Sequence, residues 1–115
     1  MYSITEQFVR WLNELGYRAS TYPPESGNEF VTVERTGGSV TDMVDHPTIA
    51  IQSWAKSETR AEEIILEIRD EALLSSMPDG VNSIFVNAGP YPFWDEYTRL
   101  PRYQIVFDVT CNLTI

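Results

Sequence analysis

From Tyr103 to Ile115 apolar and polar side chains take turns along the chain. Tyr103, Ile105, Phe107, Val109, Cys111, Leu113 and Ile115 alternate with Arg102, Gln104, Asp108, Thr110, Asn112 and Thr114, and Val106 is the single break. A period of two belongs to a β-strand with one buried face. A slip of one residue would turn all seven apolar side chains to water, so this strand pins the register of any sheet it joins. The rest of the chain is expected to be organised around it.

At the other end, Ser3-Ile4-Thr5-Glu6 has the form of a capping box, and Ile4, Phe8, Trp11, Leu12 and Leu15 then recur on one helical face until Gly16. An apolar stripe of this kind serves a membrane surface, a partner helix or the protein's own sheet. With Arg10 as the only cation in the helix interior, packing on the sheet is the reading adopted. Tyr17 to Asn28, with Pro23, Pro24 and Gly27, reads as a connection without regular structure. Phe30 to Arg35 reads as a strand, Gly37-Gly38 as a hairpin turn, and Ser39 to Val44 as a polar, edge-like return strand. Thr48 to Ala55 carries apolar residues on both faces, which predicts a central strand or one with its second face covered.

Ser57 is a fitting N-cap for a helix over about Glu58 to Ser76, with Glu58, Glu62 and Glu63 near the positive end of its dipole. Ala61, Ile64, Ile65, Ile68 and Ala72 form its core stripe, and Leu66, Leu73 and Met77 form a second apolar flank. Pro78-Asp79-Gly80 then turns the chain into a strand over Val81 to Ala88. Gly89 to Pro101 is left as a long loop before the last strand. This order predicts a single α+β domain over residues 1–115. Its four or five strands are mostly antiparallel and both helices lie on one sheet face; a right-handed crossover after Trp54 would make the sheet mixed.

Charge narrows the function. Seventeen acidic residues against eight basic ones give a net charge of -9, which repels nucleic-acid backbones and fits either a protein that must stay soluble or one whose surface must not stick to DNA passing close by. The one cysteine, Cys111, lies on the apolar face of the last strand and reads as a small core residue in a reducing, intracellular setting. No secretory leader is visible at the N-terminus and no window reaches the length of a membrane span, so a soluble, unexported protein is expected.

Catalytic chemistry finds little purchase. His46 with Asp42 and Asp45 has neither a second histidine nor a cysteine at metal-ligand spacing, and reads as a surface turn. Asp95 and Glu96 are adjacent and would point apart. Gly37-Gly38 has no lysine after it to cradle a phosphate. No catalytic residue, metal or cofactor is expected. The loop differs, because Tyr91, Phe93, Trp94, Tyr97 and Arg99 crowd between Pro90, Pro92 and Pro101. Trp, Tyr and Arg dominate interface hot spots and prolines lower the entropy lost on docking, so the stretch reads equally well as an interaction arm or as a loop folded back on its own sheet.

Phe30-Val31-Thr32-Val33-Glu34-Arg35-Thr36-Gly37-Gly38, then Thr41-Asp42, Asp45-His46-Pro47, Ser53-Trp54-Ala55, an acidic, alanine-containing helix and Leu100-Pro101-Arg102-Tyr103-Gln104 form an ordered set. That set, spanning Phe30 to Asn112, resembles tail terminator proteins of long-tailed bacteriophages, also called tail completion or minor tail proteins. The resemblance implies a small structural subunit that assembles into a hexameric ring in the host cytoplasm and ends up at the head-proximal end of the virion tail. The implied partners are further copies of the chain, the tail tube protein and the head-tail connector, with DNA passing through unbound and no membrane involved. The sheet edges and Tyr91, Phe93, Trp94, Tyr97 and Arg99 would then make the subunit contacts, with Trp94 and Arg99 as anchors. A neck or connector adaptor, or another non-enzymatic protein-binding module, is the alternative reading.

Overall fold

Every second residue of the central strands turns into one apolar layer: Val31 and Val33, then Ile49 and Ile51, then Ile105, Phe107 and Val109 are all at most 1% exposed. In the computed structural model, which describes residues 3–93 and 100–112, these side chains belong to a 5-stranded sheet. Its strands are β1 (Ala19–Ser20), β2 (Phe30–Thr41), β3 (Val44–Trp54), β4 (Val81–Pro92) and β5 (Arg102–Asn112), in the order β1-β2-β3-β5-β4. The short β1 runs parallel to β2, and all other pairs are antiparallel. The fold is α+β with a mostly antiparallel sheet, as the element order predicts, and the sheet is mixed because β1, absent from the sequence reading, pairs parallel with β2.

Helices α1 (Ile4–Glu14) and α2 (Glu58–Leu74) close this apolar layer from one side. Ser3 caps α1 by accepting from the Glu6 amide at 3.3 Å, and Ser57 caps α2 by accepting from the Arg60 amide at 3.1 Å. Helix α1 lies over β1 and β2; α2 lies over β3, β5 and β4. Phe8, Leu12, Ile64, Ile65 and Ile68 have no exposed surface, and burial of each such side chain contributes about 1.5 to 3 kcal/mol. Ser53, buried among them, donates to the Ala61 carbonyl at 2.6 Å and so joins β3 to α2. Cys111 lies in the same layer.

Four sequence expectations are corrected. The β2–β3 turn is at Asp42-Met43, whose φ values of 51° and 67° are what a tight two-residue hairpin turn demands of both central positions. Gly37-Gly38 instead runs inside β2 beside a bulge, opposite Thr48 and Pro47. A Cβ on Gly38, at φ +137°, would meet the His46 carbonyl oxygen at 2.4 Å, so close approach of two backbones explains the glycine. The connection after α1 contains β1, with Val31 donating its amide to the Arg18 carbonyl at 2.9 Å. Finally, β4 continues to Pro92, so the first part of the anticipated loop belongs to the sheet.

Strand β5 lies between β3 and β4, the interior position its alternation implies. Leu113 to Ile115, which the sequence pattern adds to this strand, lie outside the described residues. Strands of 11 and 12 residues at about 3.3 Å per residue span roughly 40 Å, which matches the 42 Å long dimension of the domain. From Glu34 to Thr41 β2 is exposed, so the hairpin end of the sheet stands clear of both helices.

Candidate functional site

Among the described residues no helix covers the second face of the sheet, yet half of that face is buried. Phe30 is 5% exposed, Trp54 3%, Gln52 8% and Gln104 7%. Two rows of side chains cross four strands there. In the first, Phe30 of β2 stacks on Trp54 of β3 with ring centroids 5.3 Å apart, and the Arg102 guanidinium of β5 lies 4.5 Å over the same indole. Its other side lies 4.3 Å over the Phe93 ring. In the second, Trp54 Nε1 donates to Thr32 Oγ1 at 3.1 Å, Thr32 donates to Gln52 Oε1 at 2.8 Å, and Gln52 Nε2 donates to Gln104 Oε1 at 2.6 Å. Gln104 Nε2 completes the row by donating to the Tyr91 hydroxyl. Among the described residues no buried side-chain polar atom lacks a partner, as a network in low dielectric requires.

These rows hold the root of the aromatic arm. Tyr91 and Pro92 pair with Gln104 and Tyr103, the Phe93 amide donates to the Arg102 carbonyl at 2.9 Å, and Arg102 Nε donates to the Phe93 carbonyl at 2.7 Å. Bulges between Val86 and Tyr91 let the strand bend, and a Cβ at Gly89, φ +91°, would meet the Gln104 carbonyl at 2.6 Å. Of the five anticipated contact residues, Tyr91 and Phe93 are therefore half-buried on their own sheet, while Trp94, Tyr97 and Arg99 lie outside the described residues. Tyr91 and Phe93 thus make contacts to their own sheet, through Gln104 and Arg102. Arg102, Gln52 and Gln104 were missed as their partners; the apolar residues on both faces of Thr48 to Ala55 signal a covered second face around Gln52, but the alternation of the last strand places Arg102 and Gln104 on its polar face with no such signal.

The acidic trio is drawn apart. Asp45, on the helix side of β3, pairs with Arg35 at 3.0 Å, whereas Asp42 is in the hairpin turn and His46 belongs to β3. His46 lines a shallow groove of about 550 Å³ on the uncovered half of the open face, with Thr48, Phe85, Asp108 and Thr110. Among the described residues no three His, Cys, Asp or Glu side chains are grouped to hold a metal ion. Burial and neighbouring Asp45 push the Cys111 thiol above its ordinary range, away from the reactive thiolate. Burial and a 2.7 Å hydrogen bond to Glu67 push the Tyr17 phenol well up. Glu29 is held below the usual carboxylate range by its hydrogen bond to Arg60.

The outer surface offers exposed apolar side chains at the hairpin, at the end of α2 and on β4, besides Tyr22 after β1. Val40 and Met43 are 59% and 71% exposed at the hairpin, Leu73 and Leu74 are 45% and 83% exposed at the end of α2, and Phe85 is 63% exposed on β4. Of the flank Leu66, Leu73 and Met77, Met77 lines a small recess together with Gln7, Arg10 and Trp11 of α1, whose indole Nε1 donates to Ser76 Oγ at 3.0 Å, while Leu73 is 45% exposed.

The fold and this surface define an α+β domain with a mixed five-stranded sheet, two helices on one face and an internally locked amide and aromatic ladder on the other. No helix among the described residues is long and apolar enough to cross a membrane. Neither the known protein-family models nor the curated proteins give a match for this chain.

Proposed function

We propose that this chain is a structural, non-enzymatic subunit of the tail terminator kind, which forms a ring at the head-proximal end of a phage tail, caps the tail tube and joins it to the head connector. The observation that carries the reading is the distribution of exposed apolar side chains. Val40 and Met43 at the hairpin, Leu73 and Leu74 at the end of α2, Phe85 on β4 and Tyr22 just after β1 are exposed on a small domain of net charge -9. Isolated apolar side chains are ordinary on a surface, but their recurrence at a hairpin, a helix end and a sheet edge suits a subunit that is contacted from several sides. The ordered resemblance from Phe30 to Asn112 supports the same reading.

The acidic balance fits this role, because carboxylates around a channel repel a passing polyanion and let DNA move without adhering. The arm that begins at Phe93 supplies a subunit contact, with Trp94 and Arg99 as its anchors beyond a root fixed by Arg102. Sedimentation with assembled tail tubes tests the function. The chain is expected to pellet with tubes in a fixed ratio to tube ends, independent of tube length. Recovery in proportion to tube length, or no recovery, would remove the terminator role.

A further inference from the structure

We infer that β4 of one copy pairs in antiparallel fashion with the Thr36–Thr41 edge of β2 in the next copy, extending the sheet from subunit to subunit. This deepens the subunit-ring reading above and rests on it. Among the described residues both edges are unpaired: β4 ends the sheet on one side, and on the other β1 shields β2 only at Val31 and Thr32.

Three features point to a second copy as the occupant. The first is polarity. Along the order β2-β3-β5-β4 every pair is antiparallel, so β2 and β4 run in opposite directions, and a neighbour set beside the sheet without turning over meets it antiparallel with its helices on the same side. The second is level. Val81 is opposite Cys111, Cys111 opposite Asp45 and Asp45 opposite Val40; likewise Phe85, Asp108, Thr48 and Gly37 form one row. The two free edges therefore end the same rows, and repetition side by side brings Val81 near Val40 of the neighbour. The third is charge. β4, from Val81 to Pro92, has no charged residue, and neither has Thr36 to Thr41, although the chain is strongly acidic.

Exposed sheet edges in soluble proteins are ordinarily protected by charges, prolines or bulges; Val81 to Phe85 and Thr36 to Thr41 carry neither charge nor proline and present Phe85 and Val40, whereas Pro90 and Pro92 lie at the other end of β4. A contact of this kind is head-to-tail: each copy uses a different edge toward each neighbour, so the interface repeats and closes into a ring when the rotation permits. Two-fold pairing of β4 with β4 would leave the β2 edge bare and stop at a dimer.

Complementation between two edge variants tests this. Phe85→Lys blocks the β4 edge and Val40→Lys blocks the β2 edge; both sites are exposed, and each lysine reduces the net negative charge, so lost association cannot be ascribed to bulk repulsion. Circular dichroism verifies the fold, and sedimentation equilibrium reads the assembly. The full chain is expected to self-associate with rising concentration, each variant alone to do so about tenfold more weakly or worse, and an equimolar mixture to give a one-to-one dimer and nothing larger. A Val40→Lys chain that still dimerises like the parent would replace the proposal with β4–β4 pairing. Parent-like assembly of both variants, or a parent that stays monomeric at every concentration, would overturn the edge pairing. Binding of the parent to tube ends would in either case leave the terminator reading standing, so the two failures are distinguishable.

Discussion

Arg102 and Trp54 are opposite each other on β5 and β3, and the guanidinium carbon of the one lies 4.5 Å over the ring of the other. Because the same cation lies 4.3 Å over Phe93, a single side chain joins the open face of the sheet to the base of the arm. Arg102→Ala is expected to lower stability by about 1 to 3 kcal/mol, from lost cation–π contacts and a lost charge-assisted hydrogen bond to the Phe93 carbonyl. Arg102→Lys should recover less than half, since a point charge cannot lie flat between two rings. Urea denaturation followed by tryptophan fluorescence measures both.

The amide row makes a sharper demand. Gln52 is 8% exposed and bonds Thr32 on one side and Gln104 on the other. Gln52→Leu should destabilise by about 1 to 3 kcal/mol by orphaning both neighbours, and Gln104→Leu by a similar amount. The double variant should lose less than the sum of the two. A double-mutant cycle by chemical denaturation that proves additive would show the row to be uncoupled.

Two adjacent glycines should respond differently. Gly37→Ala meets open space, whereas Gly38→Ala places a methyl 2.4 Å from the His46 carbonyl oxygen at a φ of +137°. The first change should lie within about 0.5 kcal/mol of the parent and the second should destabilise by about 1 to 3 kcal/mol. Met43→Gly, at φ 67° in the turn, should stabilise the hairpin by up to about 1 kcal/mol. Thermal unfolding of the three variants orders them.

Tyr17 sets an alkaline limit. Burial and the bond to Glu67 raise its folded-state pKa above the ordinary value of 10.0, so the folded chain keeps a proton that the unfolded chain loses. The stabilisation is whole below pH 10 and fades as pH climbs from there toward the folded value. Tyr17→Phe should lower stability at neutral pH and flatten the decline between pH 10 and 12, as read from denaturation midpoints along a pH series.

The parts of this fold that were legible are those with local causes. Alternation at Tyr103 to Cys111 places β5 on its buried face, Ser3 and Ser57 announce the two helices, and the Ile64, Ile65 and Ile68 stripe turns α2 onto the sheet. What escaped depends on contacts distant in sequence. Gly37-Gly38 looks like a turn because glycine tolerates positive φ, but at Gly38 the glycine answers the His46 backbone across the hairpin; Asp42-Met43 escapes notice because methionine seldom adopts positive φ. Trp54 and Ala50 signal that the second face of β3 is covered without naming what Gln52 bonds, and alternation along β5 leaves Gln104 looking solvated. Tyr91 and Phe93 were legible as a cluster, while their place on the sheet follows from bulges and from Arg102, nine residues beyond Phe93.

The most direct test of the terminator role is electron microscopy of tail tubes mixed with the purified chain. Added density in the form of a ring is expected at one end of each tube and nowhere along its length, with tube growth halted at that end. Tubes with bare ends that continue to lengthen at the parent rate would contradict the account.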